Sequence, residues 1–225
     1  MFDGRYRTII ADTVESKAIH FKLRYEVYCL EKRFEPTEHF NTSQERDDYD
    51  ANAIHLLVQH KTSGQWVGAI RLVLGRPGSL PIYGLTSVSL PKTIMEEGGF
   101  AELSRLAILK SFRRCGKETR VSEPEVLLGL IRAAKEYSEN HGIRYWLFLC
   151  RRSIKRVVGS FGMEMDVIGP PCEFRGIRYP FLATLATAFD GVAGRPDPIA
   201  SFFAKKHTLL YYSKLYPGHS HNLAA

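Results

Sequence analysis

The sequence predicts an α/β protein built on one sheet, with helices between its strands. Three observations support this. Apolar, β-branched and aromatic runs recur at 5–12, 53–59, 66–74, 100–109, 143–150, 163–168 and 179–188. Two intervening segments, 15–32 and 122–142, carry apolar residues at helical spacing. The run at 143–150 is almost wholly apolar, which is the pattern of a central strand covered on both faces.

Each element has its own signal. Residues 5–12 form a first strand. In 15–32, Ile19, Leu23, Val27 and Leu30 fall on one helical stripe, with Thr13 or Ser16 as the cap. Residues 34–52 lack periodicity and read as a loop. The strands 53–59 and 66–74 flank the turn Thr62-Ser63-Gly64-Gln65 and make a hairpin. Residues 75–99 are rich in Gly and Pro, a long loop with a short helix near 91–97; loops of that length are often functional. Val126, Leu127, Leu130, Ile131 and Ala134 mark a helix with Ser122 as N-cap and Gly142 as its stop. A basic helix follows at 151–161, then a strand at 163–168, a turn-rich connector at 169–176 and a last apolar segment at 179–188. Beyond an amphipathic piece at 199–205, the aromatic and polar ending (Tyr211, Tyr212, Tyr216, His219, His221) reads as loosely held. With no repeat and no linker, the expected organisation is one domain over 1–225, with 189–225 as a C-terminal extension.

Composition narrows the class. A chain of 225 residues that is 44% hydrophobic can bury a real core. It has no apolar stretch of ~18 residues and no charged-then-apolar leader, so a cytoplasmic location is expected. The net charge of +7 favours acidic partners without choosing among nucleic acid, membrane surface and protein. The four cysteines, Cys29, Cys115, Cys150 and Cys172, are widely spaced and suggest neither a disulfide framework nor a zinc site.

Charges inside apolar runs are the informative residues. Glu102 and Arg105 interrupt the strand at 100–109, and Arg71 interrupts the one at 66–74. A lone buried charge is costly, so each needs a partner or a task. Side chains at 102 and 105 would face opposite ways on a regular strand; a β-bulge between them would turn both to one side, and bulges favour active-site edges. The alternative is a structural ion pair at a strand end. Asp47 and Asp50 lie in the 34–52 loop, where carboxylates bind a metal, pair with arginines, or are simply solvated; composition alone favours the solvated loop. The basic turn with Arg113, Arg114 and Lys117 feeds a helix and would suit a phosphate, or be an ordinary solvated turn.

The order of elements, together with Arg24, Tyr28, Phe34, Asp47, Asp50, Arg71, Glu102 and Arg105 at their spacing, resembles the acyl-homoserine-lactone synthases within the GNAT-like acyltransferases. That likeness covers roughly residues 20–110. Downstream, Gly169-Pro170-Pro171 and Gly176-Ile177-Arg178-Tyr179-Pro180 look like the acyltransferases associated with PEP-CTERM and exosortase systems, themselves related to N-acyl amino acid synthases. The resemblance implies a three-layer fold: a twisted mixed sheet, splayed at its centre, with helices on both faces. It also implies transfer of a fatty acyl group from acyl carrier protein to a small amine, with no tightly bound cofactor, no metal and no nucleic acid; the acyl-phosphopantetheine arm is the donor substrate. A lipid product would allow peripheral membrane contact.

The roles implied are specific. Arg24, Asp47, Asp50 and Arg71 would order the N-terminal region and receive the amine, with Tyr28 and Phe34 as aromatic walls. Glu102 would be the general base and Arg105 the anchor of the network; separately, a bulged or splayed central strand would offer unpaired backbone amides to the oxyanion around Leu106 to Ile108, with Leu106 and Ala107 as candidates. Arg113, Arg114, Lys117, Arg151, Arg152, Lys155 and Arg156 would meet the acidic carrier and its phosphate. The lactone synthases have tryptophan where this chain has Phe34, which loses an indole N–H and makes lactone synthesis from S-adenosylmethionine the second reading. An ordinary acyl-CoA acetyltransferase, which would want a glycine-richer pyrophosphate turn than that at 113–118, is the third, and a non-catalytic basic binding module is the fourth. Cys150 has no histidine placed to activate it, so a buried thiol is expected there.

Overall fold

The computed structural model describes residues 2–113, 125–194, 198–206 and 208–217. Nine strands lie among them: β1 (Tyr6–Ile10), β2 (Ala53–His60), β3 (Trp66–Leu74), β4 (Phe100–Ile108), β5 (Tyr145–Cys150), β6 (Asp166–Val167), β7 (Cys172–Glu173), β8 (Ile177–Thr184) and β9 (Leu210–Tyr211). They form a mixed sheet flanked by helices, and the chain divides into two compact units. The first comprises Met1–Arg71, Arg105–Ala134 and Thr208–Ala225; the second comprises Leu72–Ser104 and Lys135–His207.

In the first unit, β1 runs antiparallel to β2, with Ile9 opposite Leu57, and parallel to β9, with Ile9 opposite Leu210. The helix Val14–Tyr25 starts on a reciprocal cap: Thr13 Oγ1 accepts from Ser16 N, and Ser16 Oγ accepts from Thr13 N. Leu23 and Val27 pack with Ala11, Leu57, Ala69, Ala107 and Leu109. Leu30, placed on the same stripe by periodicity, is exposed. The reason is a change of winding: Glu26–Glu31 is a π-helix, whose wider turn rotates later residues off the α-helical face. Gly68 is needed where it is, because a Cβ there would sit 2.4 Å from Val126 Cγ1 on the neighbouring helix.

The ending is not loose as far as Pro217. Leu210 and Tyr211 form β9, the helix Tyr212–Leu215 follows, and Ser213 N donates to Asp12 Oδ1 (3.0 Å) while Tyr216 accepts from Arg7 Nη2 (2.8 Å). Strand pairing, which local composition does not encode, supplies this anchorage. His219 and His221 lie outside the described residues, as do Ser122, the expected cap, and Cys115.

In the second unit, β5 has β4 on one side in parallel and β8 on the other in antiparallel. Trp146 and Leu147 are fully buried, and Trp146 Nε1 donates to Ser138 Oγ (2.9 Å). The helix Glu125–Asn140 ends where Gly142 adopts φ +68°, the left-handed conformation that glycine tolerates. The strand expected at 163–168 is only β6, and the expected connector contains β7; both pair with β8. Short edge strands like these take their conformation from the ladder they join rather than from their own composition. Pairing of β4 with β5 covers Phe100–Leu103 and Tyr145–Phe148 only, although both strands continue beyond it.

Candidate active site

The strand β4 changes character at Arg105. Its φ of +54° is left-handed, rare for a residue with a side chain, and within a strand it interrupts the alternation of faces. This left-handed residue is a break in the regular geometry of β4 at one end of the 102–105 segment expected to carry a bulge.

Arg105 belongs to a closed ring of charges in the first unit. Arg24 Nε donates to Glu45 Oε2 (2.5 Å), and its Nη1 donates to Asp50 Oδ1 (2.6 Å). Arg71 Nη1 reaches the same Asp50 oxygen (2.7 Å) and Asp47 Oδ1 (2.5 Å), and its Nη2 reaches Asp47 Oδ2 (2.9 Å). Arg105 closes the circuit, Nη2 to Asp47 Oδ2 (2.9 Å) and Nε to Glu45 Oε1 (3.0 Å). Three guanidinium groups alternate with three carboxylates, so the ring carries no formal net charge. Neutrality is what permits Arg24 and Arg71 to be 0% and 1% exposed, since an unpaired charge at that depth would cost several kcal/mol, of order 3–5. Asp47 and Asp50 are thus partners of strand and helix arginines and not a solvated loop. They also cap the short 3₁₀ turn Asp48–Asn52, with Asp47 N donating to Asp50 Oδ2 (2.8 Å).

Glu45 was not read from the sequence. The available signal was a charge count: Arg24, Arg71 and Arg105 exceed Asp47 and Asp50 by one, so a third carboxylate was required. Burial alone would raise Asp50, but the adjacent Arg24 and Arg71 hold it well below the usual carboxylate range. Burial would lower Arg71, and its bonds and charges with Asp47 and Asp50 carry it above its ordinary value instead. Arg24 Nη2 is buried without a hydrogen-bond partner among the described residues.

Two buried histidines support the ring. His20 Nε2–H donates to the Ile70 carbonyl (3.2 Å), next to Arg71, and His55 Nε2–H donates to the Asp50 carbonyl (3.3 Å). Carbonyls only accept, so both rings carry the proton on Nε2. Their centroids are 4.6 Å apart, and each Nδ1 is buried without a hydrogen-bond partner among the described residues. Burial pushes His55 down to about 4, and burial with the neighbouring His55 and Arg24 pushes His20 well below its ordinary value.

The remaining candidates are placed as follows. Tyr28 packs on Phe34 (6.0 Å between centroids) and lies under the Arg105 guanidinium (5.8 Å); its hydroxyl donates to the Leu106 carbonyl (3.0 Å). Ala107 is fully buried in the core, so its backbone is what it can offer. Glu102, in the second unit, is 2% exposed and accepts from Ile82 N (2.7 Å) at the turn Pro81–Gly84. Arg113 forms an ion pair with Glu31 and donates to the Ile108 carbonyl (2.5 Å). Arg114 and Lys117 lie outside the described residues.

On the helix Arg152–Ser160, Arg152 and Arg156 are exposed, Arg152 sits over Tyr179 (4.2 Å) and Lys155 over Phe181 (5.4 Å). Arg151 at its N-cap donates to the Arg175 carbonyl (3.1 Å), and Arg175 and Arg178 add to this basic face. Desolvation pushes Cys150 up to about 12, the opposite of an activated thiolate. Among the described residues, no helix is long and apolar enough to cross a membrane, and no cluster of His, Cys, Asp and Glu is arranged to hold a metal ion.

Residues 23–120 match the family described as an acetyltransferase (GNAT) domain. No curated protein sequence matches the chain. Among solved structures, BjaI, a CoA-dependent acyl-homoserine lactone synthase in complex with MTA, has a TM-score of 0.65 at 18% identity, covering 92% of each chain. LasI, an AHL synthase, has a TM-score of 0.56 at 19% identity, covering 85% of this chain and 98% of its own. FeeM, an N-acyl amino acid synthase from uncultured soil microbes, has a TM-score of 0.59 at 14% identity, covering 88% and 97%. These likenesses establish a GNAT-like fold.

Proposed function

We propose that this protein is an N-acyltransferase that moves a fatty acyl group from acyl carrier protein to the amine of an amino acid or similar small amine. The observation that carries the reading is the closed ring Arg24–Glu45–Arg105–Asp47–Arg71–Asp50, set against a left-handed residue in β4. A neutral, buried ring of this kind is a rigid polar wall, suited to holding a small charged substrate beside a strand.

The chemistry asked of the residues is modest. An α-amine has a pKa of roughly 8 and must lose a proton before attacking a thioester. Glu102 accepts that proton, directly or through water, which typically contributes about 10²–10⁴-fold. The nitrogen bonds to the thioester carbon, the carbonyl oxygen becomes an oxyanion facing backbone amides after Arg105, and collapse expels the pantetheine thiolate, which takes up a proton. No covalent enzyme intermediate is required. The exposed Arg152 and Arg156, with Arg175 and Arg178, supply a positive face for an acidic carrier. The association with exosortase systems rests on the 169–180 motif.

Likeness to BjaI, whose structures include one with SAM and isopentyl-CoA, supports a second reading as a lactone synthase with a CoA donor. The two readings separate in one experiment: expression in a bacterium, lipid extraction and mass spectrometry. The first expects an N-acyl amine that disappears with Glu102→Gln; the second expects a lactone and release of methylthioadenosine. Extracts with no acylated amine, although carrier and amino acids are present, would count against the first.

A further inference from the structure

One buried hydroxyl of the second unit has no part in the chemistry above. The 75–99 loop contains the tight turn Pro81–Gly84, whose Ile82 N donates to Glu102 Oε2 (2.7 Å). Ile82 is fully buried, and the turn packs against β5. Tyr83 is the next residue. Its side chain is only half-buried, yet its hydroxyl is removed from water and makes no hydrogen bond among the described residues. Tyrosine usually does the reverse, packing its ring and leaving the hydroxyl wet. A buried hydroxyl without a partner is costly and calls for an explanation.

Strand register places this turn on the same side of the sheet as the base. Glu102 is opposite Leu147 in β5, and Leu147 is opposite Leu182 in β8, so the three share one face. Trp146 and Phe181 lie on the other face, where Trp146 bonds Ser138 and Phe181 lies under Lys155. The helices that carry Ser138 and Lys155 therefore cover that other face, and the turn Pro81–Gly84 covers Glu102. Burial raises the Tyr83 hydroxyl above its ordinary value, so at neutral pH it keeps its proton and donates.

An α-amino acid carries its carboxylate on the same carbon as its amine. When the amine gives its proton to Glu102, the carboxylate is one residue's reach away. A neutral O–H that meets a carboxylate out of water makes a charge-assisted bond, which a neutral acceptor group would not match.

We propose that Tyr83 is a specificity-determining residue: its hydroxyl donates to the α-carboxylate of the acceptor and selects amino acids over amines that lack one. This rests on the acyltransferase reading and names its acceptor class.

Tyr83→Phe tests it, because the ring is retained and only the donor is removed. The full chain is assayed with hexadecanoyl-loaded carrier protein and either an equimolar amino-acid mixture or the same mixture as α-amino amides. The half-saturating concentration of the amino acids should rise about 10- to 100-fold, with kcat and the value for the amides changed less than about twofold. The melting temperature of the ligand-free variant should stay level or rise by up to about 4 °C, since no bond within the chain is lost. A fall of more than about 2 °C means that the hydroxyl is bonded within the chain and overturns the proposal. An equal rise for acids and amides, or a loss of kcat with half-saturation retained, overturns the carboxylate contact. Absence of turnover in the unmodified chain counts instead against the acyltransferase reading. The hydroxyl is then decided by binding: a melting temperature raised by the acids and not the amides, and lost in Tyr83→Phe, supports it, and any other pattern overturns it.

Discussion

The charge ring of the first unit and the basic face of the second use the same residue type in opposite ways. Arg24 and Arg71 are removed from water, and each of their carboxylate partners is shared with another arginine. Arg151, Arg152 and Arg156 stay in water; Arg152 leans on the Tyr179 ring. Buried charges are held by geometry, since each would be costly alone. Exposed charges are screened and act at a distance, on encounter and orientation. The first arrangement fixes a buried geometry, and the second sets a long-range field; under the proposed function, the one would place the substrate and the other would attract the carrier.

The largest effect should come from opening the ring. Arg71→Met leaves Asp47 and Asp50 short of a partner and should cost about 3–5 kcal/mol in urea unfolding, with loss of amine acylation. A cost under about 1 kcal/mol would make the ring an ordinary surface network and dissolve the contrast.

Acid should act on the same region. His55 is held at about 4 against an ordinary 6.5, so the unfolded chain takes up a proton before the folded one does. Stability is therefore complete above pH 6.5 and falls as pH drops toward 4, by about 3 kcal/mol for this group, with His20 adding in the same direction. The facing charges are Asp50, which opposes the shift, and Arg24 and Lys17, which reinforce it. Urea unfolding across that range measures the slope, and His55→Phe should flatten it by about half. Equal slopes in both proteins would mean that the histidines are not the titrating groups.

The smallest effect on stability belongs to the basic face. Arg152→Glu combined with Arg156→Glu should change unfolding by under about 1 kcal/mol. Transfer from carrier protein should slow about tenfold at low salt, and the difference should shrink in about 0.5 M salt. A salt-independent loss would place these residues in a contact and not in a steering field.

Much of the fold was legible before any coordinates. The hairpin turn at 62–65, the helix stop at Gly142 and the central place of β5 follow from local rules, because turn conformation and two-sided burial leave marks in adjacent residues. So did the need for partners at Arg71 and Arg105, since charges in apolar strands announce a debt. Which partners meet it was not local. Glu45 lies 21 residues from Arg24 and 60 from Arg105, and nothing near it in sequence distinguishes it from a solvated glutamate. The π-turn that exposes Leu30, the left-handed Arg105 and the docking of 208–217 onto β1 likewise depend on the path of the chain. Periodicity reports which face of an element is dry. Charge pairing and strained backbone are settled by what the fold carries to that face from elsewhere.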